Sequence, residues 1–194
     1  MLFTADEVAR SLRGCWQVLN CSRGALNTFD VSVTGFWHSF LAMALTAPVL
    51  VVGVAAARHS RSGPEWMLEG GLFSQPDIVL GQALVIASGW LLFPLLMLGF
   101  VRLMGLERRY VGYIIAYNWS NVAALLLLAL PQALHVLGLA TAGLALFYTL
   151  AFGFIVFYFR WLLARVALGV SAGLAGLVVA MDIAAFVLVR SVVG

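Results

Sequence analysis

Five long apolar runs, joined by short polar connections, make up most of the chain. They cover residues 36–57, 78–101, 111–130, 139–159 and 170–193. Each holds about 20 or more mostly apolar residues, which as a helix can cross a hydrocarbon core of roughly 30 Å. Short connections make successive helices antiparallel neighbours. The pattern therefore predicts an all-α integral membrane bundle of five transmembrane helices in residues 36–194, after a separate segment of residues 1–35.

The segment before the first run has the pattern of an amphipathic helix near residues 5–19. Thr4 and Glu7 have the spacing of a capping box, in which each side chain bonds the other residue's backbone amide. Apolar residues then recur at helical spacing, namely Val8, Leu12, Cys15, Trp16 and Leu19. Such a face, bordered by arginines, suits the inner surface of a bilayer. Packing of this face on the ends of the spans is an equal alternative. Further on, Asp30 or Ser32 is predicted to cap the first span.

Composition agrees with the membrane assignment and argues against an enzyme. Hydrophobic residues make up 63% of the chain and charged residues 10%, whereas charged residues form about a quarter of soluble domains. The mean hydropathy is +1.04. Too few residues lie outside the runs for a separate catalytic domain. We find no nucleophile motif or phosphate-binding loop, so we expect no catalytic residues and no enzymatic activity.

Positive charge is distributed unevenly and predicts the orientation. All eleven basic residues are arginines, and eight of them fall on the side of the N-terminus. Arginines near span ends stay in the cytoplasm, which places the N-terminus inside and the C-terminus outside, in the inner membrane of a bacterial cell. The exclusive use of arginine is consistent with the GC-rich coding of a bacterium. Five of the eight are expected to anchor the spans at lipid headgroups: Arg102, Arg108, Arg109, Arg160 and Arg165.

The isoelectric point of about 9.2 has the same origin, so the predicted partner is the lipid bilayer and not nucleic acid. Cys15 and Cys21 fall on the predicted cytoplasmic side, where a disulfide is not expected. The three histidines are scattered over both sides of the membrane. No metal site and no cofactor is therefore predicted.

Asp182 is the residue most suggestive of a functional site, because it falls in the middle of the fifth run. A carboxylate there costs roughly 2.5–3.5 kcal/mol to insert and should face the bundle with a partner. Asn118 and Asn121 fall at similar depth in the third run, and Tyr117 lies four residues before Asn121. These four residues are predicted to form a polar cluster at mid-depth. The cluster is either a site for a proton or small solute or a structural tie between two spans.

Small residues form a second pattern in the fifth run. Gly169, Gly173 and Gly176, with Ala180 after them, predict a stripe along which another helix can pack closely. Because the stripe lies away from the face that carries Asp182, it is available to another membrane protein or to a second copy of this chain.

The layout resembles the Yip family of membrane proteins, which have a cytoplasmic N-terminal segment, five closely spaced spans and a short outer C-terminus. Residues 30–35, from Asp30 to Gly35, stand where that family has an Asp and a Gly before the first span, and Gly112–Tyr113 is similar to a Gly–Tyr pair in its third span. The chain also resembles uncharacterised bacterial inner-membrane proteins labelled as transporters. The Yip resemblance implies a non-enzymatic bundle that organises membrane or partner proteins.

The sequence therefore leaves two alternative functions. A membrane scaffold or assembly protein is preferred, and a small-solute or proton-coupled transporter component is the alternative. Asp182→Asn separates them, since an amide keeps hydrogen bonds but cannot titrate.

Overall fold

A computed structural model describes residues 4–20, 24–68 and 70–193; Cys21 and Arg23 lie outside this part. In the described residues all regular structure is helical. The helices are α1 (Ala5–Leu19), α2 (Val33–Leu41), α3 (Ala47–Ser62), α4 (Pro76–Met104), α5 (Glu107–Val136), α6 (Ala142–Leu163) and α7 (Ala172–Val193).

Five helices among the described residues are long and apolar enough to cross a bilayer: Val33–Ser62, Pro76–Met104, Glu107–Val136, Ala142–Leu168 and Ala172–Val192. This confirms the predicted all-α bundle and its number of spans. The first span consists of α2 and α3, joined by a 3₁₀ segment, Ala42–Thr46. The segment ends just before Pro48, which lies in the first turn of α3, where the missing amide of a proline costs no helical hydrogen bond.

The helix ends follow local capping rules. The Ser32 hydroxyl accepts from the Gly35 amide at 3.1 Å and so caps the first span, as predicted. Hydrogen bonds from the backbone and hydroxyl of Ser32 hold the pKa of Asp30 below its usual range. The third span extends beyond the apolar run of residues 111–130, although the next residue is Pro131. It lies buried inside α5, which continues to Val136; neighbouring helices make such prolines tolerable in membrane helices.

Four of the spans surround a central space. Helices α4, α5, α6 and α7 pack in that order, and α7 closes the ring against α4. Helices α1, α2 and α3 pack on the outside, all against α5. Consequently α5 is enclosed, and its residues 113–122 are all buried. It is also the least hydropathic span, with a mean of 1.6 against 2.0–2.3 for the others. The sequence thus keeps its more polar span away from lipid.

Helix α1 has the predicted bounds and packs on α5 and α6, whereas its placement on the bilayer surface stays a prediction. Thr4 accepts from the Glu7 amide at 3.2 Å, but the Glu7 carboxylate does not return to Thr4 as a capping box would require. It instead lies 2.9 Å from Nδ1 of His38 on α2. Cys15 is buried against the bundle, whereas Trp16, about 100° further around the helix, is 65% exposed. One face of α1 therefore packs on the spans, and the other is free for lipid.

The connection between α3 and α4 is organised by Arg58, which is only 1% exposed. Its guanidinium donates to the carbonyl of Trp66 at 2.9 Å and to that of Gly71. The Trp66 indole covers the same guanidinium at 5.3 Å. Trp66 packs inward because the buried arginine offers a cation for its ring.

The small-residue stripe is shorter than predicted. Gly173 and Gly176 lie on α7, and none of the described residues outside the helix backbone comes within 4 Å of the place where a Cβ would stand on either of them. Gly169 does not belong to the stripe, because it precedes α7 and has a φ of +63°. A side chain there would run into the Arg109 guanidinium, which donates to the carbonyl of Leu168. Gly169 is therefore required for a tight turn.

Candidate functional site

Asp182 lies inside the bundle, on the face of α7 that packs inward. It is 5% exposed, and Ala175 and Val178 on the same face are fully buried. The Tyr117 hydroxyl donates to Oδ1 of Asp182 at 2.7 Å. This confirms the predicted contact between the third and fifth spans. Spacings of three and four residues place Ser171 and Phe186 on the same face, but both are exposed.

The main partner of Asp182 is Arg160 on α6, whose Nη1 pairs with Oδ2 of the carboxylate. Its assignment as a lipid-headgroup anchor was wrong, because the side chain turns inward and is only 17% exposed. Nη2 of Arg160 donates to Oδ1 of Asn121 at 2.7 Å, and the guanidinium lies 5.1 Å from the centre of the Tyr117 ring. The site is thus a buried ion pair, with an amide and a phenol completing the coordination of both charges.

Asn121 belongs to the cluster, but Asn118 does not. Helical geometry places Asn118 about 100° around α5 from Tyr117, and there it meets α2. Its Nδ2 donates to the Ser39 hydroxyl at 3.0 Å, while the indole of Trp90 donates to the Ser39 carbonyl at 3.2 Å. Asn118 therefore ties α5 to the first span. The two asparagines serve different contacts although they are three residues apart.

The ion pair forms one wall of a partly open cavity of about 160 Å³ that lies between α4, α5, α6 and α7. The other lining residues are mostly apolar. They include Val85, Ile86, Ser88, Gly89, Trp90 and Phe93 on α4, Leu125 and Leu128 on α5, Val156 and Phe157 on α6, and Ile183, Ala185 and Phe186 on α7. On every helix the apolar residues extend from the level of the pair toward the predicted outer side. The cavity therefore has a polar inner end and apolar walls.

The remaining arginines predicted as anchors differ in their surroundings. Arg102, Arg108 and Arg165 are exposed near span ends, and Arg165 lies over the Trp161 ring at 5.2 Å. Arg109 combines exposure with its hydrogen bond to the Leu168 carbonyl. Contact with lipid headgroups stays a prediction for these four residues.

One signal in the sequence pointed to Arg160. The apolar pattern continues for eight residues after it, up to Leu168, where the fourth span ends. At 1.5 Å per residue, Arg160 is about 12 Å inside the span and Asp182 about 15 Å inside the next, from the same side. The prediction ended the fourth span at Phe159 because an arginine followed, and so it missed the matching depths.

Comparison of the chain with protein-family models, curated proteins and solved structures gave no match. The fold defines a multi-pass α-helical membrane protein, and its function has to be argued from the site.

Proposed function

We propose that this protein binds a small amphipathic solute in the cavity between α4, α5, α6 and α7, and acts as a membrane carrier for it. The observation that carries the proposal is the Arg160–Asp182 pair at the polar end of a 160 Å³ apolar cavity. Ligand sites are characteristically concave and mostly apolar, with a few convergent polar groups. Ionisable residues within a bilayer typically mark solute or proton pathways.

A purely structural pair would not need this cavity. An ion pair that only ties helices together is best surrounded by packed side chains, because a void forfeits dispersion contacts. Here both members of the pair line open space. The volume is close to the roughly 150 Å³ of an engineered apolar cavity that takes up benzene. The space is thus sufficient for one small organic molecule.

The proposal can be tested by filling the cavity. Gly89 on α4 lines it, and among the described residues an added Cβ would meet only the Asn121 amide, at 3.7 Å. Gly89→Leu should therefore place its side chain in the void. Gly99→Leu on the same helix is the matched control, because Gly99 is exposed and no neighbour in the described part of the chain would lie within 4 Å of an added Cβ.

Binding of radiolabelled benzoate, benzamide and benzylamine to protein in lipid nanodiscs would be measured by equilibrium dialysis, with empty nanodiscs correcting for partition into lipid. At least one probe should bind saturably to the wild type and to Gly99→Leu, and at least tenfold more weakly to Gly89→Leu. Flux of the bound probe into proteoliposomes then distinguishes a carrier from a receptor. Saturable binding of none of the three, or undiminished binding to Gly89→Leu, contradicts the proposal.

A scaffold or assembly role is the second candidate. The observation that favours it is the uncovered surface at Gly173, Gly176 and Ala180 of α7, which is suited to close helix–helix contact. Gly176→Leu should abolish cross-linking to a partner helix if this surface is used. Two results argue against this role. One is that the protein is monomeric in gentle detergent, and the other is that the wild type and Gly176→Leu cross-link to the same extent.

A further inference from the structure

The ion pair has unused bonding capacity, and both of its members line the cavity. Nε of Arg160 is buried without a hydrogen-bond partner among the described residues. Its Nη1 and Nη2 are held by Asp182 and Asn121. Asp182, for its part, keeps the Tyr117 hydroxyl on Oδ1 when its other oxygen is released. Each member of the pair therefore retains a polar contact if the two separate.

A carboxylate is the ligand group that best fits the cation. The planar guanidinium presents parallel donors that match the two oxygens of a carboxylate. The apolar walls leave room for an attached body about the size of benzene. Phosphate would introduce a second negative charge that no other cation among the lining residues could balance.

A carboxylate entering this cavity changes the charge of the site. Arg160 and Asp182 together are neutral, so a bound anion alone would leave one unbalanced negative charge in an apolar environment, at high cost. The charged and titratable groups that face Asp182 are Arg160 from α6 and Tyr117 from α5, and α4 presents no ionisable side chain to the cavity. Asp182 is accordingly the one anion lining the cavity that can accept a proton.

We propose that the site binds a small monovalent carboxylate together with one proton, with Arg160 as the anion ligand and Asp182 as the proton acceptor. This rests on the proposed function of the cavity and specifies its substrate class. The incoming carboxylate takes the place of Asp182 on the guanidinium. The displaced Asp182 carboxylate forms an O–H bond with a proton from solution and keeps its hydrogen bond to Tyr117. The site starts and ends neutral, so each binding event takes up one anion and one proton.

Benzoate binding to the protein in nanodiscs between pH 6 and 8 tests the coupling. One coupled proton changes the dissociation constant by about tenfold per pH unit, with tighter binding at lower pH. Asp182→Asn carries the amide equivalent of the protonated acid, so its affinity for benzoate should vary less than twofold over the same range. It should also exceed that of the wild type at pH 8. Arg160→Gln should lose benzoate binding.

The Asp182→Asn variant also separates this mechanism from uptake of neutral benzoic acid, which would show the same pH slope in the wild type. If the dissociation constant of Asp182→Asn for benzoate still changes about tenfold per pH unit, the proposal is overturned. Benzamide binding as tightly as benzoate overturns it too, while the cavity function stands. If none of the aromatic probes binds saturably, the cavity function itself fails.

A measurement on the wild type covers the case that Asp182→Asn does not fold. Infrared difference spectra on adding carboxyl-¹³C benzoate should show a new protonated-carboxyl band at the same frequency as with unlabelled benzoate, because it arises from Asp182. A band that shifts with the isotope belongs to bound benzoic acid, and the absence of any such band means that no proton is taken up. Either result refutes the coupling.

Discussion

Replacing Arg160 by methionine should destabilise the protein strongly, in a manner that depends on pH. The substitution leaves Asp182 with the Tyr117 hydroxyl as its remaining partner, and an unpaired carboxylate is not tolerated in an apolar site. Asp182 should then take up a proton. At pH 7, about three units above the pKa near 3.9 of a carboxyl in water, that proton costs roughly 4 kcal/mol relative to the unfolded chain. Breaking a buried ion pair typically costs a similar ~3–5 kcal/mol.

The free energy of unfolding would be measured by denaturant titration in mixed micelles, followed by circular dichroism. Native Arg160→Met should hold one proton more than its unfolded chain, so its stability should rise by roughly 1.4 kcal/mol for each pH unit from 7 down to 5. The double variant Arg160→Met/Asp182→Asn carries no charge here and should stay within about 1 kcal/mol of the wild type, with no such pH dependence. A single variant as stable as the wild type at pH 7, or one insensitive to pH, would refute the reasoning.

Three further predictions concern other parts of the fold. Gly169→Ala should cost about 1–3 kcal/mol of unfolding free energy, since it strains a positive φ and displaces Arg109, whereas Gly173→Ala on open α7 surface should not destabilise the protein; equal loss from both would contradict this. Burial raises the pKa of Cys15 to about 12, so stability should fall as pH rises above about 9, where the unfolded chain releases the thiol proton. The unfolding free energy of Cys15→Ala should not fall in this way above about pH 9. If it depends on pH as in the wild type, Cys15 is not the cause. Ala9→Cys lies on the exposed face of α1. In a cysteine-free background it should react with a membrane-impermeant maleimide only after the cells are permeabilised. Labelling in intact cells would show that the N-terminus lies outside and that the predicted orientation is wrong.

The features that depend on short stretches of chain could be predicted from the sequence. Five spans followed from hydropathy, because crossing a bilayer requires only an apolar helix of sufficient length. The bounds of α1 and the Ser32 cap followed from local hydrogen-bonding patterns. The contact between Asp182 and Tyr117 could be anticipated too, since a carboxylate within the bilayer has to find a polar partner on another span.

The tertiary structure decided which polar groups actually meet. Arg160 could be an anchor at the headgroups or a partner within the bundle, and the packing of α6 beside α7 selected the second. Asn118 and Asn121 had the same apparent role in the sequence, but α5 is enclosed by helices on several sides, so each asparagine meets a different neighbour. The sequence pattern placed Gly169 among the helix-packing residues, but in the structure it belongs to the turn before α7 and lies against Arg109. Hydropathy fixes how far a residue lies along its own helix, whereas the rotation of each helix and its neighbours are set by side-chain packing between distant parts of the chain.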